Sequence, residues 1–266
     1  MRTFRNKAGF VCHVIAAVLL THTAMADTTI RLGGSDDASR TVIQVKDHMA
    51  RMSQAGQPGH VLFDRARHVA IYVDPVMREY REIDQQQLDK YAEIIAMLRQ
   101  QMELLSAQMK NMPAEQRAFI EQQMGIPAGG LPDLEVLSTE PRGFHDVAGF
   151  RCQSQVLFKD RQPIGEVCLA TAADAGMSAS DFATLMAMMN FMRDLASTTQ
   201  KLVGELGENS RLLLSGLQGV PVAMKDYQNR KEYRVTEVSS KTIGADVFNS
   251  YLSYNKQDLL LDMPVR

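Results

Sequence analysis

The sequence predicts an α+β protein: one curved antiparallel sheet, a half-barrel of about eight to ten strands, with long amphipathic helices packed on one face. Three observations predict it. Short β-rich runs separated by turn residues occupy residues 28–83 and return at 134–171 and 219–241. Between the first two lies a stretch whose apolar residues change to helical spacing. A second stretch of that kind follows near residue 179. The pattern reads as a meander with a helical insert, not as a doubly wound parallel sheet.

The chain has 266 residues, and its first 26 read as an export leader. Arg2, Arg5 and Lys7 precede the apolar run at 8–20, and Ala24-Met25-Ala26 forms an A-x-A cleavage site. The run is shorter than the roughly 20 residues that span a bilayer. Cleavage is expected after Ala26, and Cys12 lies inside the apolar run rather than at the cut. The expected product is one domain over 27–266, periplasmic or secreted, with no transmembrane segment. Loss of the leader removes three basic and no acidic side chains from a net charge of -2, leaving a charge near -5. No basic excess exists to meet nucleic acid or an anionic membrane. At 45% apolar and 23% charged the composition is globular.

The first strand candidates are Thr28–Leu32 and Thr41–Met52, the latter with Ile43, Val45 and Met49 on one face. His60–Asp64 and His68–Asp74 flank the turn Asp64-Arg65-Ala66-Arg67, and Glu79–Ile83 follows the turn opened by Asp74-Pro75. Leu88, Tyr91, Ile95, Leu98, Met102, Leu105, Met109 and Met112 then recur at alternating spacings of three and four, a heptad seam. Its helix starts near Asp84, an acidic residue suited to a helix N-terminus, and runs about 40 Å. Pro113 ends it and opens a shorter helix that Gly125 closes, so the insert spans about 84–125, and 125–133 reads as a Gly/Pro linker.

An oxidising compartment favours pairing Cys152 with Cys168. Residues 151–158 and 164–171 read as strands, and a hairpin centred on Asp160 places the two cysteines directly opposite each other. Catalytic dithiols usually stand as C-x-x-C, absent here, so the bridge reads as structural. Ser178 and Asp181 have capping-box spacing ahead of a helix over about 179–203, where Phe182, Leu185, Met189 and Met192 repeat the seam spacing. Residues 219–241 form a hairpin turning near Asn229, and Val247–Tyr254 closes the fold with Phe248, Tyr251 and Tyr254.

No G-x-S-x-G, H-E-x-x-H, C-x-x-C, G-x-G-x-x-G or Walker A segment occurs, so no catalytic residue and no cofactor is assigned and the protein is read as a non-enzyme. His60 and His68 could meet across the 64–67 turn, but exposed strand histidines are the simpler reading and no metal site is assigned. Seventeen methionines stand beside no tryptophan. Met186, Met189 and Met192 are three apart, as are Met109 and Met112. Thioethers select Cu(I), yet Met at helical spacing also fills irregular apolar interfaces. A combined reading makes the helices a Met-lined lid that repacks around apolar partners.

The strings HVLFDRARHVAIYVDPVMREYREID, LRQQMELLSAQMKNMPAEQRAFIEQQMG, VAGFRCQSQVLFKDRQPIGEVCLA and the closing GVPVAMKDYQNRKEYRVTEVSSKTIGADVFNSYLSY resemble an exported "domain of unknown function" family, number forty-four twelve. The likeness covers most of 40–258, and the sequence departs from it at Asn249–Tyr254, where the family's Pro and Gly are missing. That family is similar to the lipoprotein-carrier (LolA/LolB-like) half-barrel, in which a curved sheet wraps an apolar cavity under helical lids. The resemblance implies a non-catalytic carrier for a lipid, lipoprotein acyl chain or other hydrophobic ligand. Leu98, Met102, Leu105, Met109, Phe182, Leu185, Met189 and Met192 are the expected lining. The alternative is a structural or interaction module of the cell envelope, using the heptad helix 88–112 for self-association or another partner. Cu(I) binding through Met is a third reading.

Overall fold

The computed structural model describes residues 27–34, 40–124, 137–203 and 216–258; the expected leader at 1–26 and the expected linker at 125–133 lie outside these. Among the described residues, twelve strands form a single curved, unclosed sheet with four helices. The strands are β1 (Thr28–Gly34), β2 (Thr41–Lys46), β3 (Met49–Gln54), β4 (His60–Asp64), β5 (Val69–Asp74), β6 (Glu79–Asp84), β7 (Leu137–Val147), β8 (Phe150–Lys159), β9 (Gln162–Ala170), β10 (Val220–Asp226), β11 (Lys231–Ser239) and β12 (Asn255–Lys256). The expected class stands, with more strands than the eight to ten read from sequence. Their order is β12-β6-β5-β4-β3-β2-β1-β11-β10-β9-β8-β7. Two meanders, β1–β6 and β7–β11, are therefore sewn together by antiparallel β1 and β11, and β12 adds to β6 in parallel.

One of the extra strands comes from 41–52, which is not a single strand. Asp47 takes φ 55°, a left-handed conformation an Asp side chain tolerates, and the chain reverses between β2 and β3. Three other hairpins share a device. The Oδ1 of Asp64 accepts N–H bonds from Ala66 and Arg67, that of Asp74 from Val76 and Met77, and that of Asp226 from Gln228 and Asn229. Each loop then closes on a left-handed residue, His68, Arg78 or Arg230. The side-chain acceptor stands in for a ladder partner, so each aspartate fixes where its strand ends.

The helices are α1 (Gln85–Met109), α2 (Ala114–Met124), α3 (Ala179–Val203) and α4 (Asp246–Asn249). Asp84 caps α1 with a full capping box: it accepts from Gln87 N at 2.7 Å, and Gln87 Oε1 accepts from Asp84 N at 3.0 Å. In α3, Asp181 N donates to the Ser178 hydroxyl at 3.0 Å, while the Asp181 carboxylate accepts the Thr28 hydroxyl at 2.6 Å and ties the helix to β1. α3 lies on β2 and β3, and α1 packs along α3. Of the heptad seam only Leu88, Ile95 and Met109 are buried, because one neighbouring helix covers only one edge of the stripe.

The main core unites Ile30, Val45, Phe63, Leu185, Met188, Phe191, Val222 and Val235. A second cluster, Leu62, Ile71, Val73, Phe248 and Tyr251, covers the other face of β4 and β5. The closing segment at 247–254 is α4 followed by a 3₁₀ turn at Ser250–Ser253. Phe248 and Tyr251, three apart, bury together only on a helical path.

Candidate functional site

An open cleft of about 500 Å³ lies across β7–β11. The chain builds it from a tight reversal at Asp160 and Arg161, both at positive φ, which lays β9 on β8. A register shift after Leu157 then sets Ser154, not Cys152, opposite Cys168. The expected hairpin centre is displaced accordingly. The displacement is an even number of residues, so Cys152 stays on the same face and bridges diagonally, with a Cα–Cα distance of 5.4 Å. The disulfide is formed as the sequence predicted, and both cysteines join the main core.

Gly165 lets β10 approach closely: a Cβ there would stand 2.7 Å from the Lys225 carbonyl oxygen. A bulge between Pro221 and Ala223 re-registers β10, so that Ala223 faces Cys168 and Lys225 faces Glu166. Cys168 and Ala223 belong to the main core and Val147 packs against it. These three give the cleft an apolar floor continuous with the protein interior. Around it stand His145, Asp146, Ser154, Glu166, Lys225, Glu232 and Arg234.

The charges are ordered by mutual contacts. Arg234 donates to Glu232 Oε1 from Nε at 2.9 Å and Nη2 at 2.7 Å, and Lys225 Nζ lies 3.9 Å from the same carboxylate. Glu166 instead accepts the Tyr227 hydroxyl at 3.0 Å and a bond from buried Ser154. Tyr227 is placed by its own N–H, which donates to the Ile164 carbonyl at 3.0 Å. The Ser154 bond, the Tyr227 bond and the nearby Lys225 charge hold the Glu166 carboxyl below the usual carboxylate range, against the opposing pull of burial. Burial and Glu166 push the Tyr227 phenol up, so it remains the donor.

None of the eight residues expected to line a ligand site lines this cleft. Leu185 and Met109 are buried, Met102 and Leu105 half-buried, and Leu98 exposed. Phe182, Met189 and Met192 are half-buried against the main core. The α3 face that is fully covered runs through Asp181, Thr184, Leu185, Met188 and Phe191, rotated from the predicted stripe because it includes two polar residues with partners on β1 and the β2–β3 turn. Met186 is buried in the same core. His60 and His68 do not meet: His60 begins β4 opposite Val73, whereas His68 sits in the turn at the strand's far end and packs edge-on against Phe63 and Phe191. Among the described residues no three His, Cys, Asp or Glu side chains group to hold a metal.

The cleft residues carried one faint signal in the sequence. Glu166 stands two positions before Cys168 and therefore shares the inward face of an alternating strand. Ser154, two positions after Cys152, carried the same signal, whereas Lys225, Glu232 and Arg234 carried none, since only the β8–β9–β10–β11 registers bring them together.

No protein-family model matches the chain, and no curated protein matches it. An uncharacterized conserved protein from Thermus thermophilus has a solved structure similar over 88% of this chain and 91% of its own, at 6% identity and a TM-score of 0.39.

Proposed function

We propose that this protein is an exported, non-catalytic binding or carrier module for an amphiphile, which lays its apolar chain on the cleft floor and its polar head among the rim charges. The observation that carries the reading is the cleft itself. Its volume of about 500 Å³ is that of a small-ligand site. Its floor of Cys168, Ala223 and Val147 lies at the edge of the main core, and burial of an apolar chain against it gains about 25 cal/mol per Å². The resemblance to the lipoprotein-carrier half-barrel and the leader pattern at 1–26 support the same reading.

The chain contains no tryptophan, so a substituted one reports cleanly. Protein purified under native conditions should release an amphiphile on extraction. It should also take up a pyrene-labelled chain with an uncharged head and quench the fluorescence of Met224→Trp. Ala223→Trp, which fills the floor, should abolish uptake. Absence of both bound amphiphile and probe uptake would refute the reading. A second reading, an interaction module, is favoured by the exposed Ile94, Met97, Leu98 and Leu104 on α1. Sedimentation that stays monomeric over the accessible concentration range removes self-association through that helix.

A further inference from the structure

We propose that the cleft receives a cationic head, an ammonium group, on Glu166. The inference rests on the reading of the cleft as an amphiphile site and names the head it selects. Arg234 donates twice to Glu232 and Lys225 Nζ lies 3.9 Å from the same carboxylate, so neither pairs directly with Glu166, which Lys225 and His145 reach only at longer range. Glu166 forms no ion pair within 4 Å among the described residues. Its partners are two neutral hydroxyls, on Ser154 and Tyr227. A carboxylate offers about four lone-pair directions, and two hydroxyl donors leave room for an ammonium N–H. Asp146 adds a second carboxylate to the lining. A carboxylate or phosphate head would face these two anions and would have to displace Glu232 from Arg234. An ammonium head meets a fixed acceptor without breaking any contact, and a hydrogen bond between two ionised groups is among the stronger ones.

The positions of the groups matter as much as their signs. Glu166 is held from two sides, by a buried serine on β8 and by the loop tyrosine after β10, so little side-chain freedom is lost on binding. It lies two residue pairs along the strands from the Cys168–Ala223 floor and on the same face, which places a chain attached to the ammonium over apolar surface. The cross-strand partner Lys225 opposes the cation at this site.

Calorimetric titration of the mature chain with dodecylammonium, dodecanoate and dodecyl maltoside, each below its micelle concentration, tests the assignment. Dodecylammonium should bind about ten-fold more tightly than dodecanoate. Glu166→Gln should weaken dodecylammonium about ten-fold and leave dodecyl maltoside unchanged. Lys225→Met should strengthen dodecylammonium several-fold, a gain that a misfolded variant cannot produce. Equal or tighter binding of dodecanoate, or an unchanged ranking in Glu166→Gln, overturns the head assignment while the amphiphile reading stands. Failure of all three to bind overturns both. Methylammonium alone separates the two sources of the group: Glu166-dependent binding as tight as that of dodecylammonium keeps the head assignment and removes the chain from the ligand.

Discussion

His60 makes acid stability a direct measure of how dry the β3–β5 face is. The side chain is 9% exposed at the start of β4, and its Nε2 has no hydrogen-bond partner. Burial, and secondarily the Arg51 charge, lowers its pKa from 6.5 to about 4. The folded protein thus disfavours the imidazolium that the unfolded chain forms freely. The associated stability is fully present above pH 6.5, where both states are neutral. It is lost as pH falls through about 4, because the unfolded chain binds the proton first. At 1.36 kcal/mol per pH unit, the displacement amounts to roughly 3 kcal/mol. Urea unfolding of the wild type and of His60→Phe at intervals from pH 7.5 to 4 measures it. The variant should be at least as stable at pH 7, since it deletes an unpartnered buried polar atom, and the difference between the two proteins should widen on acidification by that amount. Parallel pH profiles would show that His60 is solvated, and the reasoning would be wrong.

Three further outcomes follow from the packing. Leu185→Ala, at a fully buried position on α3, should cost about 2–5 kcal/mol, whereas Leu104→Ala on the exposed flank of α1 should change stability by less than about 0.5 kcal/mol, both read by urea unfolding. Removing the Cys152–Cys168 bridge as the double alanine variant should cost about 3 kcal/mol for a loop of this separation, seen as a lower urea midpoint than that of the oxidised protein. Asp181 is buried beside Asp27 and Asp47, and desolvation raises its pKa. Its contribution is therefore fully present below the unfolded aspartate pKa and lost as pH rises through the folded one. Asp181→Asn, which keeps an acceptor for Thr28, should raise the melting temperature at pH 7 and lose that advantage near pH 3.5; a lower melting temperature at pH 7 would contradict the assignment.

Local chemistry was legible where one short segment decides the outcome. Asp84 followed three residues later by Gln87 defines the start of α1, and Ser178 with Asp181 the start of α3, because a capping bond closes within one turn. Asp64 and Asp74 mark strand ends for the same reason. What misled was apolar spacing without knowledge of the cover. The heptad seam of α1 is real as a pattern, yet Leu98 is 39% exposed because α3 reaches only part of it. The 41–52 run looked continuous because nothing in its hydropathy announces that Asp47 turns left-handed. The closing segment has aromatic residues at 248, 251 and 254 that suit a strand or a helix, and the β4–β5 face selected the helix by offering one pocket for two of them.

The sequence alone determined the class of the protein, the capped starts of α1 and α3 and the pairing of Cys152 with Cys168, since each depends on contacts between residues near in the chain. Tertiary structure alone decided the site. Ser154, Glu166, Lys225 and Arg234 come from four different strands, and a single bulge in β10 and one shift in β8 set which of them meet. Register is a property of pairs of strands, and moving it by one residue would turn every one of these side chains to the opposite face.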